Sequence, residues 1–256
     1  MLRDRLTMGS LKNYFYCRLD SLNMHRDLAF SKRWRYRKFF CKGNIRTLDV
    51  GGGGGPFTAQ CLKNGNSVTL VDLDGAKIDK ALKKLKALGF LDPARIKAVT
   101  GDIREYETED KFEQILLLEV LEHIQNDQAL LNKLASFLKP RGRLIISSPT
   151  DNFPSFYGEK VSCAEDGGHV RKGYSFRDIQ EKIQRSGLKV IFMESYIGYF
   201  TQKGLAFSRY LSDHFTANLC LAVFLKILLL PFSWLDKLAH SYPDYCLFVI
   251  AQKDAQ

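Results

Sequence analysis

Five consecutive glycines, Gly51 to Gly55, follow a short apolar run from Ile45 to Val50, and Pro56 follows them. Glycine has no Cβ, so such a loop can turn tightly and let a ligand touch the main chain. Proline suits the first turn of a helix, where its missing N–H costs nothing. Strand, glycine loop and helix in that order bring backbone close to a nucleotide-like ligand. The loop does not carry the dinucleotide fingerprint Gly-x-Gly-x-x-Gly/Ala. Counted from Gly51, Gly52 or Gly53, the last position is Pro56, Phe57 or Thr58.

The flanking pattern extends this beginning into an α/β fold. Strands are expected at Ile45–Val50, Ser67–Val71, Arg95–Thr100, Gln114–Leu118, Arg143–Ser148, Leu188–Glu194 and Tyr245–Gln252. Helices are expected at Phe57–Asn64, Gly75–Leu88, Asp127–Leu138 and Ser175–Ser186, with Ser175 as an N-cap. Lys139-Pro140-Arg141-Gly142 reads as the turn between the third of these helices and the fifth strand. Strands alternating with helices imply a mostly parallel, seven-stranded, Rossmann-like sheet with helices on both faces.

Two additions flank that core. Residues 11–40 read as helical, and residues 1–44 form a basic N-terminal arm. It has eleven Lys or Arg against three Asp, a net of +8 in a chain of net +10. The run Lys32-Arg33-Trp34-Arg35-Tyr36-Arg37-Lys38 reads as a solvated helix face with its aromatics turned inward; attraction to an acidic partner is the alternative. Residues 197–243 lie before the last strand and read as a helical insertion. Its stretch Leu219–Pro231 is apolar but broken by Lys226, and shorter than the roughly twenty residues a membrane span needs. Burial against the main domain is expected there, with peripheral membrane contact as the alternative. The organisation is then arm 1–44, core 45–196, cap 197–243 and last strand 244–256. Six scattered cysteines without Cys-x-x-Cys spacing, and no apolar leader, suggest reduced thiols in a cytoplasmic protein.

The glycine loop does fit acid-x-Gly-x-Gly-x-Gly, on Asp49, Gly51, Gly53 and Gly55. This resembles the first motif of the Rossmann-like S-adenosylmethionine (SAM)-dependent methyltransferases. The second strand ends in Asp72, about twenty residues on, where a carboxylate can accept both ribose hydroxyls of an adenosine. Leu73 can lie against the adenine, and Asp74 suits the N-cap of the next helix. The resemblance implies that Asp102 reads the adenine amino group and that the Ile103 N–H reaches a ring nitrogen. An Asp102 side chain capping its own turn is the plainer alternative. Leu118-Glu119-Val120-Leu121-Glu122-His123 resembles the Glu-x-Leu-Glu-His segment of a group that includes ubiquinone- and sugar-pathway enzymes. Leu138-Lys139-Pro140-Arg141-Gly142 is similar to that group's Leu-Lys-Pro-Gly-Gly. The resemblance covers about residues 43–195; Gly52 stands where the group usually carries Cys or another small residue.

The resemblance implies a methyltransferase with SAM as cofactor, acting on a small-molecule or lipid-linked acceptor at oxygen. Glu119 would lie near the cofactor's methionine end. Among the histidines His25, His123, His169, His214 and His240, His169 in Gly-Gly-His-Val-Arg is the expected acceptor contact or base. His123 either shares that work or hydrogen-bonds a helix start. Glu119, Glu122 and His123 are spaced as a helical metal site would be, and some ubiquinone-pathway relatives are thought to bind a divalent ion there. With no fourth ligand in view, no metal is expected. Three other functions stay open. A nucleic-acid methyltransferase would explain the charge, but lacks the Asn/Asp-Pro-Pro-Tyr segment of base-amino methylation. An NAD-dependent oxidoreductase fits Asp72 but fails the glycine count. A non-catalytic SAM-binding subunit would need no acceptor chemistry.

Overall fold

The computed structural model describes residues 28–153, 168–214, 224, 227–229, 231–239 and 241–255. Helix α1 (Leu28–Trp34) runs into a 3₁₀ turn, Arg35–Phe39. Then come β1 (Arg46–Val50), α2 (Pro56–Lys63), β2 (Ser67–Asp72), α3 (Gly75–Ala87), β3 (Ile96–Thr100) and β4 (Phe112–Leu118). A 3₁₀ turn, Leu121–His123, precedes α4 (Asp127–Phe137), β5 (Leu138–Pro149), α5 (Phe176–Arg185) and β6 (Leu188–Tyr196). Helix α6 (Tyr199–His214), a 3₁₀ turn at Pro231–Leu238 and β7 (Cys246–Lys253) complete the order. Among the described residues, no helix is long and apolar enough to cross a membrane.

The seven strands form one sheet in the order β3-β2-β1-β4-β5-β7-β6, with β7 antiparallel to both its neighbours. All strands but β7 therefore end at the same edge, where ligands of open α/β sheets bind. The local devices expected from sequence are present. Pro56 opens α2 behind Gly55. Asp74 caps α3 by accepting from the N–H of Ala76 and Lys77, and Ser175 caps α5 by accepting from Asp178.

The central strands are buried on both faces, as their unbroken apolar runs require. One face is covered by α4 and α5, packed through Leu130, Leu134, Ile179 and Ile183. The other is covered by α1, α2 and α3, with Leu205 of α6 joining them. Phe30 and Trp34 of α1 lie against Phe57 of α2, with centroids 5.5 and 5.4 Å apart. Tyr36 stacks on Phe248 of β7 at 4.0 Å. These rings tie α1 to the sheet.

Four expectations need correction. The helix expected over 11–40 ends at Trp34 and tightens into the 3₁₀ turn; residues 11–27 lie outside the described residues. The basic run is not simply a solvated face: Lys32 and Arg33 turn inward to carboxylates, while Arg35 and Lys38 stay exposed. Strand β5 begins at Leu138 rather than Arg143. Arg141 takes a left-handed φ of 62°, and the register to β4 shifts between Phe112 and Gln114, so the expected turn is a bulge within the strand. In Leu219–Pro231, of which only residues 224, 227–229 and 231 are described, burial is not the general pattern. Phe224, Ile227 and Leu228 are exposed, while Leu229 packs against the core.

Candidate active site

The glycine loop crosses from β1 to α2 with Gly51, Gly53 and Gly55 all in the left-handed region, at φ 64°, 53° and 70°. A Cβ on Gly51 would strike the Val120 side chain, and one on Gly55 would come within 2.9 Å of Ala81 Cβ. Gly53 differs: its Cβ would meet nothing nearer than the Gly51 carbonyl at 4.0 Å. A Cβ on Gly52 would likewise strike Leu70 and Asp49, so of these four glycines only Gly53 faces open space. Asp49 lies beneath it, buried, its Oδ2 accepting from the Thr58 hydroxyl at 2.5 Å. Burial pushes its carboxyl up to about 7, with the Thr58 hydrogen bond opposing and nearby Asp72 adding to the rise.

Asp72 ends β2 beside the loop. Its Oδ2 accepts from the Gly53 N–H at 2.8 Å and its Oδ1 from the Asp74 N–H at 2.9 Å. Each oxygen keeps a second lone pair. Leu73, next in the chain, is 67% exposed. Asp102 follows β3 and caps its own turn, accepting from the Arg104 N–H at 2.8 Å. It also pairs with the Arg104 guanidinium at 2.6 Å. That pairing holds its carboxyl below the usual range. Ile103 beside it is buried.

Beyond β4 the chain makes a sharp left-handed step at Glu119, φ 58°. Its Oε1 accepts from the Ser147 hydroxyl at 2.6 Å and its Oε2 pairs with the Arg33 guanidinium at 2.6 Å. The Tyr196 hydroxyl joins both partners, 2.7 Å from Ser147 Oγ and 3.3 Å from Arg33 Nε. Arg33, Ser147 and Tyr196 belong to no motif that the sequence displays. Arg33 is hidden in the basic run, and only the alternation of Lys32-Arg33 with Trp34 and Tyr36 hints that some of its cations face inward.

Glu119 pairs with Arg33 instead of joining a metal-type cluster, and Glu122 and His123 sit on the following 3₁₀ turn rather than on a helix. In place of the grouping Glu119–Glu122–His123, the structure gathers Glu122, His123 and His169. A ligand atom from each lies within 4.8 Å of the others. Glu122 is fully buried; its Oε2 accepts from the Ser148 hydroxyl at 3.0 Å, while its Oε1 has no partner. Burial and the neighbouring Glu119 raise its carboxyl. His123 Nδ1 lies 2.8 Å from the Gly168 carbonyl, not at a helix start, which leaves Nε2 for other partners. The His169 ring stands edge-on to it, with centroids 4.8 Å apart. His214 ends α6, and His25 and His240 lie outside the described residues.

The segment that brings His169 here is anchored on the turn before α4. Val170 N–H donates to the Glu122 carbonyl at 3.0 Å. Arg171 pairs with the buried Asp127 and donates to the carbonyls of Ile124 and Gln125, both at 2.8 Å. The Tyr174 hydroxyl donates to Asp127 at 2.8 Å, and Lys182 reaches the same carboxylate at 3.1 Å.

Comparison with known proteins identifies the family. The chain belongs to the methyltransferase domain family, whose model matches residues 23–191. It is similar to the mitochondrial ubiquinone biosynthesis O-methyltransferase of Schizosaccharomyces pombe, 31% identical over 113 residues. The chain spans about two fifths of that relative's length, with 44% of this chain and 41% of the relative covered. An S-adenosylmethionine dependent methyltransferase from Mesorhizobium loti shares the fold, with a TM-score of 0.57 and 16% identity over 86% of this chain and 96% of that one. So does phosphoethanolamine N-methyltransferase 2 of Haemonchus contortus, solved with S-adenosyl-L-methionine, with a TM-score of 0.60 and 20% identity over 98% and 58%. The residues fit S-adenosyl-L-methionine as the cofactor: a glycine cradle open at Gly53, beside a carboxylate with lone pairs to spare. Glu122, His123 and His169, with the orphaned Glu122 oxygen, also fit a divalent ion.

Proposed function

We propose that this protein transfers a methyl group from SAM to a hydroxyl oxygen of a small-molecule or lipid-linked acceptor. Within the family it fits the group with the Glu-x-Leu-Glu-His segment. The observation that carries this is the convergence, at one sheet edge, of the open glycine cradle with a buried carboxylate and two histidines. In this reading Asp49, Gly51, Gly53 and Gly55 shape the cradle, and Asp72 accepts the ribose hydroxyls. Leu73, Asp102 and Ile103 flank the adenine, and Glu119, steadied by Arg33 and Ser147, lies toward the methionine end. Residues 45–196 form the cofactor core, with the arm 1–44 and the cap 197–243 flanking the acceptor side. The exposed apolar side chains of the cap suit peripheral contact with a membrane.

When bound, SAM supplies a methyl already activated by a positive sulfur. The protein has to hold the acceptor oxygen in line, exclude water and receive a proton. His169 takes the acceptor proton, with His123 orienting its ring. The oxygen–methyl bond forms as the methyl–sulfur bond breaks, and the electron pair stays on sulfur. With a divalent ion held by Glu122, His123 and His169, His169 would be a ligand rather than the base, and the ion would lower the hydroxyl's pKa instead. The names of the curated relatives favour oxygen over nitrogen as the acceptor atom. The test is a screen of phenolic, sugar and prenylated acceptors with methyl-labelled SAM. Transfer to a hydroxyl that falls at least a hundredfold in His169→Ala supports the reading. Transfer only to amines, or unchanged rates in that variant, would overturn it.

A further inference from the structure

A cavity of about 760 Å³ lies where α1, its 3₁₀ turn, the end of β6 and the Pro231–Leu238 turn meet. That is the size of a small-molecule site, and no glycine-loop residue lines it. Two of its three acids are engaged by hydrogen-bond donors. Asp236 accepts from Lys32 Nζ at 2.9 Å and from the Thr201 hydroxyl at 2.5 Å. Asp244 accepts from the Ser195 hydroxyl at 2.6 Å, while Glu194 is exposed. Of the four cations lining it, Lys32 is spent on Asp236 and on the Ser233 carbonyl. Arg35, Lys38 and Lys237 are exposed and have no acidic partner among the described residues. Three such cations facing one space, against Glu194 as the single exposed acid, suit a group with several anionic oxygens.

The turn that carries Trp234 into this cavity presents apolar side chains to solvent. Trp234 and Leu238 are each 75% exposed on the Pro231–Leu238 turn, with Leu235 between them. Phe207, Tyr210, Phe224, Ile227 and Leu228, in the segments before that turn, are exposed as well. Among the described residues, eight of the twelve exposed large hydrophobic side chains therefore fall between 207 and 238. Such concentration marks a surface that meets another molecule rather than scattered exposure. At the cavity floor Tyr196 reaches Ser147, which holds Glu119, so the cavity adjoins the strand-end cluster.

We infer that this cavity seats the phosphate of a lipid-borne molecule, whose apolar chain lies along the turn from Trp234 to Leu238. This rests on the methyl-transfer reading and narrows its acceptor to a phosphate-bearing amphiphile. The test uses the full chain with Trp34→Phe, so that Trp234 is the fluorescent reporter, titrated with dodecyl phosphate below its micelle concentration. A blue shift, with affinity at least tenfold weaker in Arg35→Gln/Lys237→Gln and in Leu235→Ser/Leu238→Ser, supports the inference. Equal affinity for glycerol 3-phosphate would overturn the need for a chain. Equal affinity in the Arg35→Gln/Lys237→Gln variant would overturn the phosphate seat. Response only to phosphatidylglycerol vesicles, and not to dodecyl phosphate, would make the patch a bilayer-docking face and overturn a single-molecule site. S-adenosylhomocysteine binding is measured on every variant. Its retention shows that the substituted side chains are not needed for folding. Its absence in the parent would defeat the methyltransferase reading separately, leaving the dodecyl phosphate result to stand alone.

Discussion

Arg33, on the first described helix, and Glu119, the left-handed residue beyond β4, form an ion pair at 2.6 Å with side chains only 15% and 22% exposed. The pair joins the N-terminal arm to the sheet edge that carries the glycine cradle. Removing one partner leaves a poorly hydrated charge. Arg33→Met should therefore destabilise by about 2–3 kcal/mol, below the full penalty of a buried pair because Glu119 keeps some water. Arg33→Met/Glu119→Gln should recover part of that. Urea denaturation of Arg33→Met, Glu119→Gln and the double variant checks it; losses that simply add would show that the pair is not coupled.

Gly51 and Gly53, two residues apart in one loop, should respond differently to a methyl group. Gly51→Ala forces a Cβ into Val120 at a positive φ, and should lower the melting temperature strongly, with partial rescue by Val120→Ala. Gly53→Ala bears only the cost of its φ, about 1–2 kcal/mol. Its methyl projects into the open middle of the cradle. It should stay folded and lose S-adenosylhomocysteine affinity by tenfold or more. Thermal melts and calorimetry on the same preparations separate the two effects.

Asp49 gives a pH dependence whose sign can be worked out. Its folded carboxyl sits at about 7 because burial disfavours the charge, whereas an unfolded aspartate titrates near 4. Between those values the folded state holds a proton that the unfolded state has released. Stability therefore falls as pH rises through that window, by up to about 4 kcal/mol from this group alone. Asp49→Asn should lose this slope and gain stability relative to the parent more at pH 8 than at pH 4. Denaturation curves across that range in the cofactor-free protein would contradict the assignment if the two slopes coincide.

The fold is legible in the sequence because its signals are local. Unbroken apolar strands, Pro56 behind the glycines, and the caps at Asp74 and Ser175 each carry their own physical reason, and each of the seven strands overlaps the run that the pattern marks. The bulge at Arg141 is not legible, since a left-handed arginine beside Gly142 looks in sequence like an ordinary turn. In the site, the glycine loop and Asp72 are readable as a motif at one place in the chain. Arg33, Ser147 and Tyr196 come from three distant segments and meet only through the sheet order, which no spacing reveals. The same holds for His169, whose approach to Glu122 depends on the Arg171 and Tyr174 contacts with Asp127. The insertion misleads because an apolar stretch reads the same whether it is buried or presented to a partner.

The most direct test is calorimetric titration of the purified protein with SAM, S-adenosylhomocysteine and NADH, alongside Asp72→Ala. Both adenosyl ligands should bind in the micromolar range. Asp72→Ala should weaken them by about 1.5–3 kcal/mol per lost charge-assisted bond, with the Gly53 N–H losing its partner as well. Binding of NADH alone, or SAM affinity unchanged by Asp72→Ala, would contradict this placement of the cofactor.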